Sequence, residues 1–137
     1  MSKGWIQFPF FATKNSADEV FPEWQFEGLT AFSGPNGASG SIGIPIPAEA
    51  TSIRRVRVGG NVIQGEVHII VARSRLGERN KKLSEITIKK KGAFNKRLPI
   101  KKSLRELGPD DAIYARITAK KGNGNRTVVQ LVAAEFK

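Results

Sequence analysis

Eight lysines and arginines crowd the stretch Ile86 to Leu107, "ITIKKKGAFNKRLPIKKSLREL", against a single acid, Glu106. Cations at that density are suited to neutralising anions. For duplex DNA, each phosphate so neutralised steepens the salt dependence of binding by about 0.9. Lys89, Lys90, Lys91, Lys96, Arg97, Lys101 and Lys102 form the strip, and Arg54, Arg55, Arg57, Lys120, Lys121 and Arg126 add charge from either side. Together they are candidate contacts for a nucleic acid or for the acidic face of another subunit. Binders of single strands interleave such cations with exposed aromatic rings. Here Phe94, beside Lys96 and Arg97, is the one aromatic placed to stack. Lysines on the edge of a sheet also serve a plainer purpose, because they block unwanted pairing with another chain.

Residues suited to catalysis are sparse. His68 is the sole histidine and there is no cysteine, which excludes disulfides, thiolate metal sites and a multi-histidine zinc site within one chain. In "GEVHIIVAR" His68 alternates with Val67 and Ile69, as a half-buried histidine of a sandwich would. Asp18, Glu19 and Glu23 lack the alternating oxygen ligands of a calcium loop. Asp110 and Asp111 follow Gly108-Pro109 and read as turn residues. The glycine-rich "GASGSIG" has neither the lysine nor the following helix of a phosphate loop. The expectation is a protein that is not an enzyme and has no cofactor or metal site.

The elements that position these residues read as strands. Ile6, Phe8 and Phe10 alternate, as do Ile42, Ile44 and Ile46, Val56 and Val58, Val67, Ile69 and Val71, Ile86 and Ile88, and Ile113, Ala115 and Ile117. Trp24, Phe26 and Phe32 share even positions and are expected on one face. Pro45 predicts that its strand lies at an edge or stops there. "TVVQLVAAEF" is almost continuously apolar, like a strand covered on both faces. Asn123-Gly124 has the chemistry of a type I′ turn, so "AIYARITA" and "TVVQLVAAEF" are expected to form a central antiparallel hairpin. Helical signal is confined to one or two turns at "KKSLRELG". Loops are expected at 32–40 and 74–82. The pattern predicts an all-β chain, an antiparallel β-sandwich built as a single jelly roll of about eight strands.

At 137 residues the chain is one domain's worth, expected to span 1–137 as a single sandwich. Residues 1–12 form either an exchanged N-terminal arm or a strand of their own sandwich. No segment has the long apolar run of a membrane span or signal peptide, so use without export is expected. Net charge is +11, divided as −3 over residues 1–50 (2 basic, 5 acidic) and +14 over 51–137 (21 basic, 7 acidic). Such a split suits an anionic partner for the second part or a head-to-tail contact between copies.

"SIGIPIPAEATSIRRVRV" resembles a strand-pair opening of small jelly-roll modules in phage and viral structural proteins. "LPIKKSLRELGPDDAIYARITAKKGNGNRTVVQLVAAEFK" is similar to their closing half: an apolar strand, the turn Gly108-Pro109-Asp110-Asp111, an "IYxRI" strand, and a last strand ending on Phe136. The resemblance covers residues 38–73 and 98–137 and assigns no catalytic residue. It implies a virion component, assembled in the host cytoplasm, that works as a homo-oligomer with other particle proteins. Nucleic acid would then be touched only by non-specific electrostatics, and no membrane is involved. Two alternatives stand beside it: a nucleic-acid-binding β-barrel using the basic half, and a carbohydrate-binding sandwich with Trp5 or Trp24 as sugar platform.

Overall fold

The computed structural model describes residues 4–8, 24–27, 30–33, 37–120 and 126–137, with the backbone alone for 4–8 and Phe26. Ten strands carry nearly all of it: β1 (Gly4–Phe8), β2 (Gln25–Glu27), β3 (Thr30–Phe32), β4 (Ala38–Ile44), β5 (Ile53–Gln64), β6 (Glu66–Ser74), β7 (Lys81–Ile88), β8 (Gly92–Pro99), β9 (Ala112–Lys120) and β10 (Arg126–Phe136). The one helical piece described is a 3₁₀ turn at Lys102–Leu104, within the stretch where helical signal was expected.

One sheet runs β2-β3-β10-β5-β8, with β1 also paired to β10, and the other runs β4-β9-β6-β7. Every pairing is antiparallel. Numbered from β3 to β10, the eight main strands lie in the orders 1-8-3-6 and 2-7-4-5. That is the wrapping of a jelly roll, and the chain is an all-β antiparallel sandwich as its periodicity predicts. β1 and β3 share one edge of β10: Phe8 pairs with Val132, and Phe32 with Val128.

The alternation sets what is buried. Val56, Val58 and Val62 of β5, Val67, Ile69 and Val71 of β6, and Ala115, Ile117 and Ala119 of β9 have no exposed surface. Ile113, Phe136, Leu98 and Ile100 join them at 2% exposure or less. β4 lies at an edge and stops at Ile44, just before Pro45, so both readings of that proline hold.

Three expectations are corrected. β9 and β10 are not hairpin partners: β9 pairs with β4 and β6, and β10 lies in the other sheet with β1, β3 and β5. The Asn123-Gly124 turn itself lies outside the described residues. Phe32 is not a core position; Ala31 is buried completely, and Phe32 is half-buried on the opposite side of the strand. Phe94 is buried in the core at 8% exposure, partnered with Gly60, so it cannot serve as a stacking platform. Its even-numbered neighbour Leu98 faces the same way, which is the parity that sends Phe94 inward.

Two glycines make the wrapping feasible. Gly65, at φ 91, is the single residue between β5 and β6, where the chain crosses from one sheet to the other. Gly60 sits where β5 meets the irregular register of β10, and a Cβ there would lie 1.9 Å from the carbonyl oxygen of Val128. No other residue fits that approach.

Candidate functional site

Antiparallel alternation gives the sandwich two ends. At the first lie the end of β5, the start of β6, the β7–β8 turn, the end of β9 and the start of β10. The second holds the β6–β7 turn, the β8–β9 connection and the ends of β4 and β10. The basic residues singled out by the sequence are spread over both ends and the flank between them.

Lys89, Lys90 and Lys91 do not extend β7; they form the exposed turn into β8 at the first end. Arg126 opens β10 at the same end, and half-buried Lys120 closes β9 opposite Glu66. Glu66 precedes Val67, whose β7 partner is Ile88, so this acid sits between Lys120 and the lysine turn. Lys121 lies outside the described residues. Lys96 and Arg97 are exposed on β8, which with β7 forms one lateral flank of the sandwich. Arg97 stands directly opposite Arg57 on the outer face, and beside that pair Arg55 binds Glu135 at 3.0 Å. Lys101 and Lys102 are exposed at the second end, and Arg54 is half-buried there, its carbonyl accepting the Ile100 N–H at 2.9 Å.

The arrangement is therefore a basic flank running the length of β8, about 25 Å at strand rise, with a lysine group at each end. Lys96 partners Val58, so it shares the parity of Phe94 and Leu98 yet remains exposed because β8 is the outermost strand. An inward-parity charge on an edge strand is a recognised obstacle to sheet extension. The flank can attract an anionic surface, but it offers no exposed ring among its described residues to stack on bases.

The sequence reading passed over a second group at the other end of β6 and the start of β7. "RSRLGERNKK" carries Arg73, Arg75, Arg79, Lys81 and Lys82 against Glu78. The missed signal was parity: Arg73 continues the inward series Val67, Ile69, Val71. The Arg75 guanidinium donates from Nε and Nη2 to both carboxylate oxygens of Asp111, at 2.8 and 2.7 Å. Asp111, whose side chain is 1% exposed, also accepts the Gly108 N–H at 2.7 Å. The Arg75 hydrogen bonds hold the Asp111 carboxyl down to about 2, against the opposing effect of burial and with help from Gly108. This fastens the β6–β7 turn to the start of β9. The turn reading of Asp111 is right about Gly108, and the ion pair is additional.

His68 lies on the outer face of the β4-β9-β6-β7 sheet, its side chain 20% exposed, with Nε2 2.6 Å from Glu85 Oε2. Lys82 Nζ donates to the other Glu85 oxygen at 2.7 Å. Lys82 first, then His68, lowers the Glu85 carboxyl below its ordinary range. Among the described residues no group of three or more His, Asp or Glu could hold a metal ion. Trp24 is buried at 4% exposure and its indole N–H donates to the Ile117 carbonyl at 3.0 Å, so its ring belongs to the core and is not open to a sugar. Asp18, Glu19 and Glu23 lie outside the described residues. No described helix is long and apolar enough to cross a membrane.

The sequence matches no protein-family model and no curated protein. Among solved structures it is similar to a family two carbohydrate esterase from Cellvibrio japonicus, at 12% identity and a TM-score of 0.47. That match covers 99% of this chain and 35% of the esterase chain, so the chain spans about a third of the longer protein.

Proposed function

We propose that this chain is a non-enzymatic assembly module of a virus or phage particle, working as repeated copies. The observation that carries the reading is the contrast between its two flanks. The β7/β8 flank is dense in exposed lysine and arginine, whereas β4, at the other edge of its sheet, has no charged residue from Ala38 to Ile44. A surface so polarised suits a head-to-tail contact, the basic flank of one copy against the uncharged or acidic side of the next. Such contacts set orientation more than they add affinity. The jelly-roll wrapping and the resemblance of residues 38–73 and 98–137 to particle modules support the same reading.

Sedimentation velocity over a range of concentration and salt tests it. Association that grows with concentration and weakens with salt is expected. It should be lost in Gly43→Lys, which puts a cation on the exposed part of β4 where a Cβ meets nothing within 4 Å. A strict monomer at high concentration, with or without other particle components, would overturn the proposal. A second reading, non-specific binding of nucleic acid along the basic flank, is favoured by the exposed turn Lys89 to Lys91 together with exposed Lys96 on β8. Its test is a salt titration: no retention of DNA or RNA at low ionic strength would remove it.

A further inference from the structure

We propose that the cleft at the second end of the sandwich, beneath the β6–β7 turn, is a binding site for a phosphate-type oxyanion. The cleft is about 450 Å³, and its walls are Arg73, Arg75, Glu78, Arg79 and Lys81 on one side and Ser103, Leu104, Glu106 and Gly108 on the other. A cleft of this size lies in the range that takes a small ligand.

Strand register aims two cations at it. Arg73 lies opposite Ile113 of β9, a buried core position, so it is on the inner face of the sheet. Across the other edge of β6 it lies opposite Lys81. Like charges paired directly across strands are destabilising. Edge protection accounts for Lys81, because β7 is an outer strand, but β6 lies between β9 and β7 and needs none. Arg73 is therefore a cation placed on an interior strand, facing inward, against another cation. Its Nε is buried and has no hydrogen-bond partner among the described residues. Buried donors are satisfied in the great majority of cases, and an exception points to a missing partner.

Competition within the cleft leaves these donors available. Arg75 is committed to Asp111 through both Nε and Nη2. Of the two lining acids, Glu78 leans toward Arg75 at 3.8 Å, and the Glu106 charge also acts on Arg75. Arg73 feels the charge of Asp111, but its Nε makes no hydrogen bond among the described residues, and Arg79, Lys81 and the Ser103 hydroxyl line the cleft with it. A tetrahedral anion accepts hydrogen bonds from several directions at once. It suits donors arriving from β6, the β6–β7 turn, β7 and the 3₁₀ turn better than a planar carboxylate does. The site shares Lys81 with the β7 edge but lies at the second end of the sandwich and does not depend on the chain assembling.

The test is titration of the full chain with inorganic phosphate at fixed ionic strength in chloride, read by calorimetry and by the shift in melting temperature. Saturable binding and a phosphate-dependent rise in melting temperature are expected. Arg73→Gln relieves the like-charge pair with Lys81 and gives up the attraction to Asp111, two small opposing effects, so it should fold about as well as the parent. It should bind phosphate at least about tenfold more weakly, as loss of a charge-assisted hydrogen bond implies. Lys81→Gln, on the exposed edge strand, gives an independent second reading with the same sign, and Lys90→Ser should leave binding unchanged. Glycerol phosphate, dimethyl phosphate and acetate separate a phosphomonoester, a phosphodiester and a carboxylate as the chemistry recognised. Phosphate and glycerol phosphate should bind, dimethyl phosphate more weakly for its lower charge and fewer free oxygens, and acetate should not. Identical behaviour in phosphate and chloride, undiminished binding by Arg73→Gln, or acetate matching phosphate would each overturn the proposal.

Discussion

The β7/β8 flank and the β4 edge face the same physical problem and meet it differently. An outermost strand presents backbone N–H and C=O groups that another strand could pair with. On β7 and β8 the answer is charge: Lys81, Lys82, Lys96 and Arg97 on the strands, and Lys89, Lys90 and Lys91 between them. On β4 there is no charge, only small residues and isoleucine, and the strand simply ends before Pro45. The difference teaches that the basic strip of residues 86–102 is an outer surface laid over a core that does not depend on it. Core and surface are interleaved along β8, where Phe94 and Leu98 are buried while Lys96 and Arg97 are exposed. Breaking that division should show effects ordered by depth.

The largest effect belongs to the core. Ile117 has no exposed surface and lies between β4 and β6, opposite Gly40 and Ile69. Ile117→Ala should cost about 2–5 kcal/mol in denaturant unfolding, through lost transfer energy and the cavity left behind. A cost below about 1 kcal/mol would mean the sandwich interior is looser than its burial suggests.

How much of this was legible in the sequence depended on which physical signal was read. Strand parity was reliable: Val56 and Val58, Val67 to Val71, and Ile113 to Ile117 are all inward as their alternation predicts. Sheet membership was not. Asn123-Gly124 has hairpin chemistry, but a short connection joins neighbours in one sheet as readily as strands in facing sheets. In a jelly roll β9 and β10 go to opposite layers. Local charge also misled. Phe94 among lysines looks like a surface ring, although its parity with Leu98 sends it inward. The Arg73 cleft is hidden for the converse reason: residues 74–82 read as a loop, and Arg73 just before them continues the inward series of β6 without any local sign of what it faces. The Arg75–Asp111 pair joins residues 36 apart, and nothing in either local sequence announces it.

The next effect sharpens the contrast between exposed and buried charge. Asp111 is the buried acid of an ion pair, and its folded-state carboxyl is depressed from an ordinary 3.8 to about 2. A depressed acid contributes stability that is complete above the unfolded value, near pH 4, and is lost as pH falls toward 2. The depression corresponds to about 2 kcal/mol. Asp111→Asn should therefore destabilise by about 2–3 kcal/mol at neutral pH and flatten the acid limb of the stability profile between pH 4 and 2. An unchanged acid limb in the variant would place the titrating group elsewhere.

A smaller effect on folding, but a distinct one on solution behaviour, is expected at the guarded edge. Lys96 has inward parity beside Val58 and is held at the rim. Lys96→Val should leave the melting temperature within a few degrees, since it adds a strand-forming residue at a partly open position. It should also promote concentration-dependent self-association that persists at high salt, where the electrostatic head-to-tail contact is weakened, because the charge that obstructs strand addition is gone. If light scattering at high salt finds Lys96→Val no more associated than the parent, the lysine is not guarding the edge.

The smallest expected effect tests the strip itself. Lys90 and Lys101 are exposed at opposite ends of β8, in the turn before it and just after it, and no described ion pair involves either. Exposed lysines contribute little to stability even when paired, so Lys90→Ser and Lys101→Ser should each change unfolding free energy by less than about 0.5 kcal/mol. What they carry is field. Removing both lowers the charge of the flank by two and should weaken its contact with any polyanion in proportion to salt, reducing the slope of log affinity against log salt by about 1–2 for a nucleic acid. The two readouts divide cleanly. Unchanged melting with a shallower salt slope places the lysines in a contact surface, while melting as depressed as that of Ile117→Ala would make the strip part of the fold. Sequence alone could not separate these outcomes, because the same alternation of lysine with isoleucine and leucine is required for both.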